Sequence, residues 1–122
     1  MNLSRFLHSF KIGFLGLGHA IGTEQNMRVH LLIAVGVIAI ASLLPLVAWE
    51  WIVVVLCIGL VLGAECMNTA LERLADRVTR EPDPLIMHAK DCGSAAVLVI
   101  ALTTAVIGGV VFVPKLWAIL GG

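Results

Sequence analysis

The chain has 122 residues, eight acidic and eight Lys or Arg side chains, and a formal net charge of zero. Hydrophobic residues make up 60% and charged residues 13%, against about 45–50% and 25% in soluble domains. A mean hydropathy of +1.04 excludes an ordinary soluble domain, and the neutral balance gives no bulk reason to expect nucleic acid; the expectation is one all-α integral membrane domain.

Residues 3–22 come first. Leu3, Phe6, Leu7, Phe10, Phe14, Leu17 and Ile21 recur at helical spacing, while Arg5, Ser9, Gly13 and Gly16 fall on another face. This predicts an amphipathic helix lying in the membrane interface. Its glycines are not a phosphate loop, because no Gly-Lys-Ser/Thr follows them. No short apolar core with a small-residue cleavage site follows Arg5 and Lys11, so a removed signal peptide is not expected. Thr23 is the predicted N-cap of the next helix, which opens with the polar cluster from Glu24 to His30.

Residues 31–49 are almost wholly apolar and long enough to span a hydrocarbon core. Glu50 reads as a very short turn, with Trp49 and Trp51 at a lipid–water interface. A second span covers 51–72. Residues 77–91 read as a polar loop, in which Asp83-Pro84 suits the N-cap and first position of another helix. The third span covers 92–113, closed by Pro114-Lys115. Gly59, Gly63, Gly108 and Gly109 permit close helix packing. Cys57, Cys66 and Cys92 lack metal-type spacing and read as reduced packing residues. Thr103 and Thr104 are expected to bond back to their own helix.

Arg5, Lys11 and Arg28 precede the first span, and Arg73, Arg77, Arg80 and Lys90 follow the second. The positive-inside rule therefore predicts a cytosolic N-terminus and a cytosolic 77–91 loop. Both polar clusters then share one side of the membrane, where Glu24 and the end of the second span can meet.

That end is the most informative stretch. At about 100° per residue, Glu65, Asn68, Thr69, Glu72 and Asp76 share one helix face. Carboxylates leaving an apolar span are costly and mark a functional site by default. Glu65 and Glu72 lie about 10 Å apart along the axis, too far to hold one ion from one helix. Glu72 suits a hard cation such as Mg²⁺, with Glu24 as partner and substrate phosphates completing the shell. Glu65, deeper and closer to lipid, suits a general base. Arg73, Arg77, Arg80 and Lys90 supply positive charge for phosphates.

The pattern Glu65-x-x-Asn68-x-Ala70-x-Glu72-x-x-x-Asp76, followed by Ala89-Lys90-Asp91-x-Gly93-Ser94-Ala95-Ala96-Val97, resembles the bacterial membrane lipid kinases of the diacylglycerol kinase and undecaprenol kinase family. Arg5, Gly16 and Glu24 stand at matching places, so the resemblance covers nearly the whole chain. It implies a homotrimeric kinase of the bacterial cytoplasmic membrane, with active sites between protomers, that phosphorylates a lipid alcohol from ATP and Mg²⁺. By position, Glu65 resembles the catalytic base, and Glu24 and Glu72 the carboxylates that hold the metal on ATP. Arg5, Ile12, Glu81, Pro82, Asp83, Lys90 and Asp91 match nucleotide contacts together with Glu24 and Glu72. Arg5, Glu65, Asn68 and Ser94 match positions near the lipid headgroup. The sequence departs from the family at Asp83, commonly His, and Ile12, commonly Tyr. The stretch from Glu24 to Leu32 is more similar to the undecaprenol branch, in which His30 replaces an acidic residue. Lys90-Asp91-x-Gly93-Ser94-Ala95 is closer to the diacylglycerol branch.

Plainer readings exist. Glu72 and Asp76 could pair with Arg73, Arg77 or Arg80, and His30 reads as a packing residue. A non-catalytic oligomeric scaffold or pore is the competing function. A pore wants polar groups along several spans, and the first and third carry almost none at mid-depth.

Overall fold

A computed structural model describes residues 1–121, and they form four helices: α1 (Leu3–Thr23), α2 (Gln25–Leu43), α3 (Ala48–Val78) and α4 (Pro84–Ile119). Among the described residues, α2, α3 and α4 are long and apolar enough to cross a membrane. The protein is thus an all-helical membrane protein.

Asn2 caps α1 by accepting from the backbone N–H groups of Ser4 (3.1 Å) and Arg5 (3.3 Å). Most of α1 stands clear of the other helices, with Phe6, Phe10, Phe14 and Leu15 exposed. Only its C-terminal end is anchored, around the buried Ala20. A single extended residue, Glu24 (φ −109°, ψ 119°), separates α1 from α2. Arg28 stabilises this corner by donating from Nη1 to the carbonyls of Ile21 (2.9 Å) and Gly22 (3.1 Å), the orphan acceptors at the end of α1. Met27, 1% exposed, fills the corner from inside. The expected Thr23 cap is wrong: Thr23 is the last residue of α1, and its hydroxyl donates back to the His19 carbonyl (2.7 Å).

The turn after α2 also falls earlier than expected. Leu44 precedes a proline, which steers it out of the helical region, and it is extended at φ −107°, ψ 154°. Glu50 is not in the turn. It sits in the first turn of α3, where its carboxylate accepts the Val47 N–H (3.0 Å) and satisfies an orphan donor. Trp49 and Trp51 therefore both ride on the start of α3.

Asp83 caps α4 as expected, accepting from Leu85 (2.9 Å) and Ile86 (3.1 Å), with Pro84 in the first position. Two boundaries move. The 77–91 loop shrinks to 79–83, because the Asp83 cap starts the helix at Pro84. Pro114 does not close the third span either. Proline removes one interior hydrogen bond, but the ladder resumes beyond it, with Leu120 N–H on the Leu116 carbonyl at 2.9 Å. Thr103 and Thr104 bond back within α4 as expected, to Val99 and Ala101.

Helices α3 and α4 run antiparallel and are pinned at both ends. Asp76 pairs with Lys90 at one end. At the other, Lys115 Nζ meets Glu50 (2.9 Å) and the Pro45 carbonyl (3.2 Å). Glu50 to Asp76 spans about 39 Å and Lys90 to Lys115 about 38 Å at 1.5 Å per residue. The rungs match, and they are spaced close to the thickness of a bilayer with its headgroups. Between them the buried residues are mostly small, including Ala34, Ala41, Val54, Val97 and Val111, as in membrane helix packing. The close packing that Gly59, Gly63, Gly108 and Gly109 would permit is not used within the chain, where a Cβ added at any of them would meet nothing within 4 Å. Close approach occurs at Gly93, where an added Cβ would meet Asn68 and Leu71 of α3. The cysteines are free, as expected.

Candidate active site

The acidic face of α3 meets a different neighbour at each level. Deepest is Glu65, 3% exposed, whose Oε1 lies 3.2 Å from His30 Nε2 on α2. One turn on, Thr69 is buried and donates to the Glu65 carbonyl (2.9 Å). Asn68 turns toward α4, and its buried Oδ1 has no hydrogen-bond partner. An unsatisfied buried acceptor is uncommon and demands a reason. Asp76 is taken by Lys90.

Arg73 leaves α3 toward the α1–α2 corner. Its guanidinium donates to Glu24 Oε1 (2.5 Å) and Thr23 Oγ1 (3.0 Å), and its Nε lies 3.4 Å from His19 Nε2. This brings Glu24 beside the end of α3 that carries Glu72. His30, Glu24 and Glu72 are the charged or ionisable groups whose fields reach Glu65. The plainer ion-pair network is therefore corrected: Arg73 pairs with Glu24 and Asp76 with Lys90. Glu72 makes no side-chain hydrogen bond or ion pair among the described residues.

Among the described residues, no three His, Cys, Asp or Glu groups gather to hold a metal by themselves. Two carboxylates with hard oxygen donors suit a Mg²⁺ ion whose remaining ligands are phosphates and water. The donor set fits an ion that arrives with a nucleotide.

Other expected site residues are not brought to this group within the chain. Arg5 is about 28 Å along α1 from Glu24 at 1.5 Å per residue, and Ile12 is 56% exposed. Glu81, Pro82 and Asp83 are exposed in the α3–α4 connection, with the Asp83 carboxylate engaged as a cap. Asp91 and Ser94 are exposed on α4. Lys90 belongs to the same end of the bundle but is paired with Asp76. Conversely, His30 and Arg73 take parts the sequence did not assign to them. The clue for His30 was its place in the polar run after Glu24.

Two clefts flank the face. One, of about 300 Å³, runs between α2, α3 and α4, from His30 to Val111 and Phe112. Its wall is hydrocarbon except for His30, Thr104 and Cys57. The other, of about 280 Å³, lies between α1 and α3, where Gly13 and Gly16 face Thr69 and Arg73.

Carboxylates, an imidazole and cations gather at one end of a membrane helix bundle, beside an apolar cleft, an arrangement that suits an enzyme of polar-headed lipids. Comparison with known proteins makes the class specific. The profile of the prokaryotic diacylglycerol kinase family matches residues 11–112, and the chain belongs to that family. It is 36% identical over 114 residues to the undecaprenol kinase of Bacillus subtilis (strain 168), covering 93% of each chain. It is 37% identical over 115 residues to a diacylglycerol kinase of Synechocystis, covering 93% of this chain and 66% of that one. A diacylglycerol kinase of Haemophilus influenzae is 30% identical over 111 residues, 90% of this chain and 94% of its own. The chain is a lipid kinase, and the family implies ATP as its co-substrate.

Proposed function

We propose that the protein transfers the γ-phosphoryl group of ATP to a membrane lipid alcohol, undecaprenol ahead of diacylglycerol, with Glu65 as general base. The observation that carries this reading is a carboxylate 3% exposed on a membrane-spanning helix, beside a hydrocarbon-walled cleft headed by His30.

Glu65 takes the proton of the lipid hydroxyl. The hydroxyl oxygen bonds to the γ-phosphorus as the bond to the β–γ bridging oxygen breaks, and ADP leaves. Asn68, whose amide N–H can donate to the oxygen of that same hydroxyl, and Ser94 are assigned to the lipid headgroup. Glu24 and Glu72 hold Mg²⁺ on the nucleotide. When bound, that ion neutralises phosphate charge, the main requirement of phosphoryl transfer. Ile12, Glu81, Pro82, Asp83, Lys90 and Asp91 contact the nucleotide. Arg5 is assigned to nucleotide and lipid, but along a straight α1 it stands about 28 Å from its own Glu24. A second copy must bring it to a site, which supports a homo-oligomer, proposed as a trimer with sites between protomers.

The site end carries Arg28, Arg73, Arg77, Arg80 and Lys90, which favours a cytosolic orientation in the bacterial cytoplasmic membrane. The amphipathic pattern of α1, which stands clear of the bundle, favours an interfacial position for it. Undecaprenol is favoured by the stretch from Glu24 to Leu32 and by a higher identity to the Bacillus enzyme than to the similarly covered Haemophilus diacylglycerol kinase. The motif around Lys90 and Gly93 favours diacylglycerol. The test is purified protein in mixed micelles with γ-labelled ATP, given each lipid in turn. Label in undecaprenyl phosphate supports the proposal, and label only in phosphatidic acid reverses the substrate order. No labelled lipid in either case overturns the reading.

A further inference from the structure

We infer that His30 is the positioning residue of Glu65: it holds Oε1, leaves Oε2 for the lipid proton, and marks where the hydroxyl end of the lipid stops in the apolar cleft. This rests on the reading of Glu65 as the base and adds the residue that orients it.

Glu65 is nearly sealed from water, and a carboxylate so placed needs a donor. Among the described residues the one basic side chain within ion-pair distance of Glu65 is His30, whose Nε2 lies 3.2 Å from Oε1. Thr69, one turn away, spends its hydroxyl on the Glu65 backbone carbonyl instead. The other ionisable groups acting on Glu65 are Glu24, from the α1–α2 corner, and Glu72, on its own helix. Both are acceptors when ionised and cannot donate to it. With Oε1 held across the α2–α3 interface, the carboxylate cannot swing freely, and Oε2 stays available.

The position of His30 gives it a second contact. It lines the cleft of about 300 Å³, whose flanks include Ile33, Val37, Val61, Leu62 and Phe112. Along this cleft the Thr104 hydroxyl is spent on the Ala101 carbonyl, and the imidazole is the one ionisable group that also meets Glu65. The same ring thus touches both the hydrocarbon path and the base. A purely structural histidine would need only one of these contacts.

The test compares His30→Leu with His30→Gln, whose amide retains an N–H donor, as purified full-length protein in mixed micelles. Folding is matched by circular dichroism and size in detergent. His30→Leu is expected to lower kcat on the order of tenfold to a hundredfold, with KM for Mg-ATP near wild type. His30→Gln is expected to recover most of that loss. In a Glu65→Asp background, His30→Leu is expected to cost less than in wild type, because the two act as one unit. Wild-type kcat in His30→Leu, a loss that Gln does not recover, or equal losses in both backgrounds would each overturn the inference. If His30→Leu does not fold, His30→Met against His30→Gln makes the same decision. Inactive Glu65→Gln alongside fully active His30→Leu removes only this inference. Active Glu65→Gln removes the base reading itself.

Discussion

Arg73 of α3 clamps Glu24 at the break between α1 and α2, with Nη2 2.5 Å from Oε1. The same nitrogen reaches Thr23 Oγ1, so one guanidinium closes the corner that brings α1 back to α3. Without a metal, this is the counter-ion of a carboxylate assigned to Mg²⁺. If Glu24 holds Mg²⁺ as proposed, arginine and metal compete for its carboxylate.

Replacing Arg73 with Gln should therefore reduce the Mg²⁺ concentration needed for half-maximal activity. The pair is partly exposed, at 42% and 24%, and such pairs contribute at most about 1 kcal/mol. The expected shift is up to about fivefold, read from magnesium titrations at fixed ATP. An unchanged or higher requirement would show that Arg73 does not compete for Glu24.

Glu65→Gln should abolish transfer, by roughly a hundredfold to ten-thousandfold for loss of a general base, and leave the oligomer intact by size in detergent. Glu24→Gln and Glu72→Gln should instead move the magnesium titration. Wild-type magnesium curves in both variants would remove the metal assignment.

Much of this organisation was legible in the sequence, because three apolar runs and their flanking charges respond to one bilayer. The acidic face of α3 was legible from helical spacing alone, as was the Asp83-Pro84 start of α4. Other features depend on which faces the helices turn to one another. His30 and Glu65 are 35 residues apart, and nothing in either helix's own spacing brings them together. Lys90 and Arg73 read as free phosphate ligands because their partners, Asp76 and Glu24, lie on other elements. The α2–α3 turn was misplaced because Glu50 suggested a polar turn, whereas it caps a helix that begins just after Pro45.

The ion pair at the far end should matter for stability and not for chemistry. Lys115 holds both Glu50 and the Pro45 carbonyl, about 22 Å along α3 from Glu65. Lys115→Met leaves the Glu50 carboxylate, 9% exposed as a side chain, without its cation. Thermal unfolding in detergent should shift to lower temperature, while kcat of the folded protein stays at its wild-type value. An unchanged unfolding temperature would mean that the pair does not fasten α4 to the turn.

Gly93 has a steric task beside the site. A Cβ there would stand 2.5 Å from Asn68 Oδ1 and 2.7 Å from Leu71 Cδ2, closer than real side chains come. The leucine methyl ends a flexible chain and can turn away. The Asn68 Oδ1 is buried against Gly93 between α3 and α4, so the amide is the group displaced. Gly93→Ala should cost about 1–3 kcal/mol of stability, the usual penalty of overpacking, and should lower activity by moving Asn68. Adding Asn68→Ala removes the clash and should restore the unfolding temperature without restoring activity. That separation tests Asn68 directly: stability follows the space beside Gly93, and activity follows the amide. If the double variant regains activity together with stability, Asn68 serves packing alone and has no part in holding the lipid headgroup.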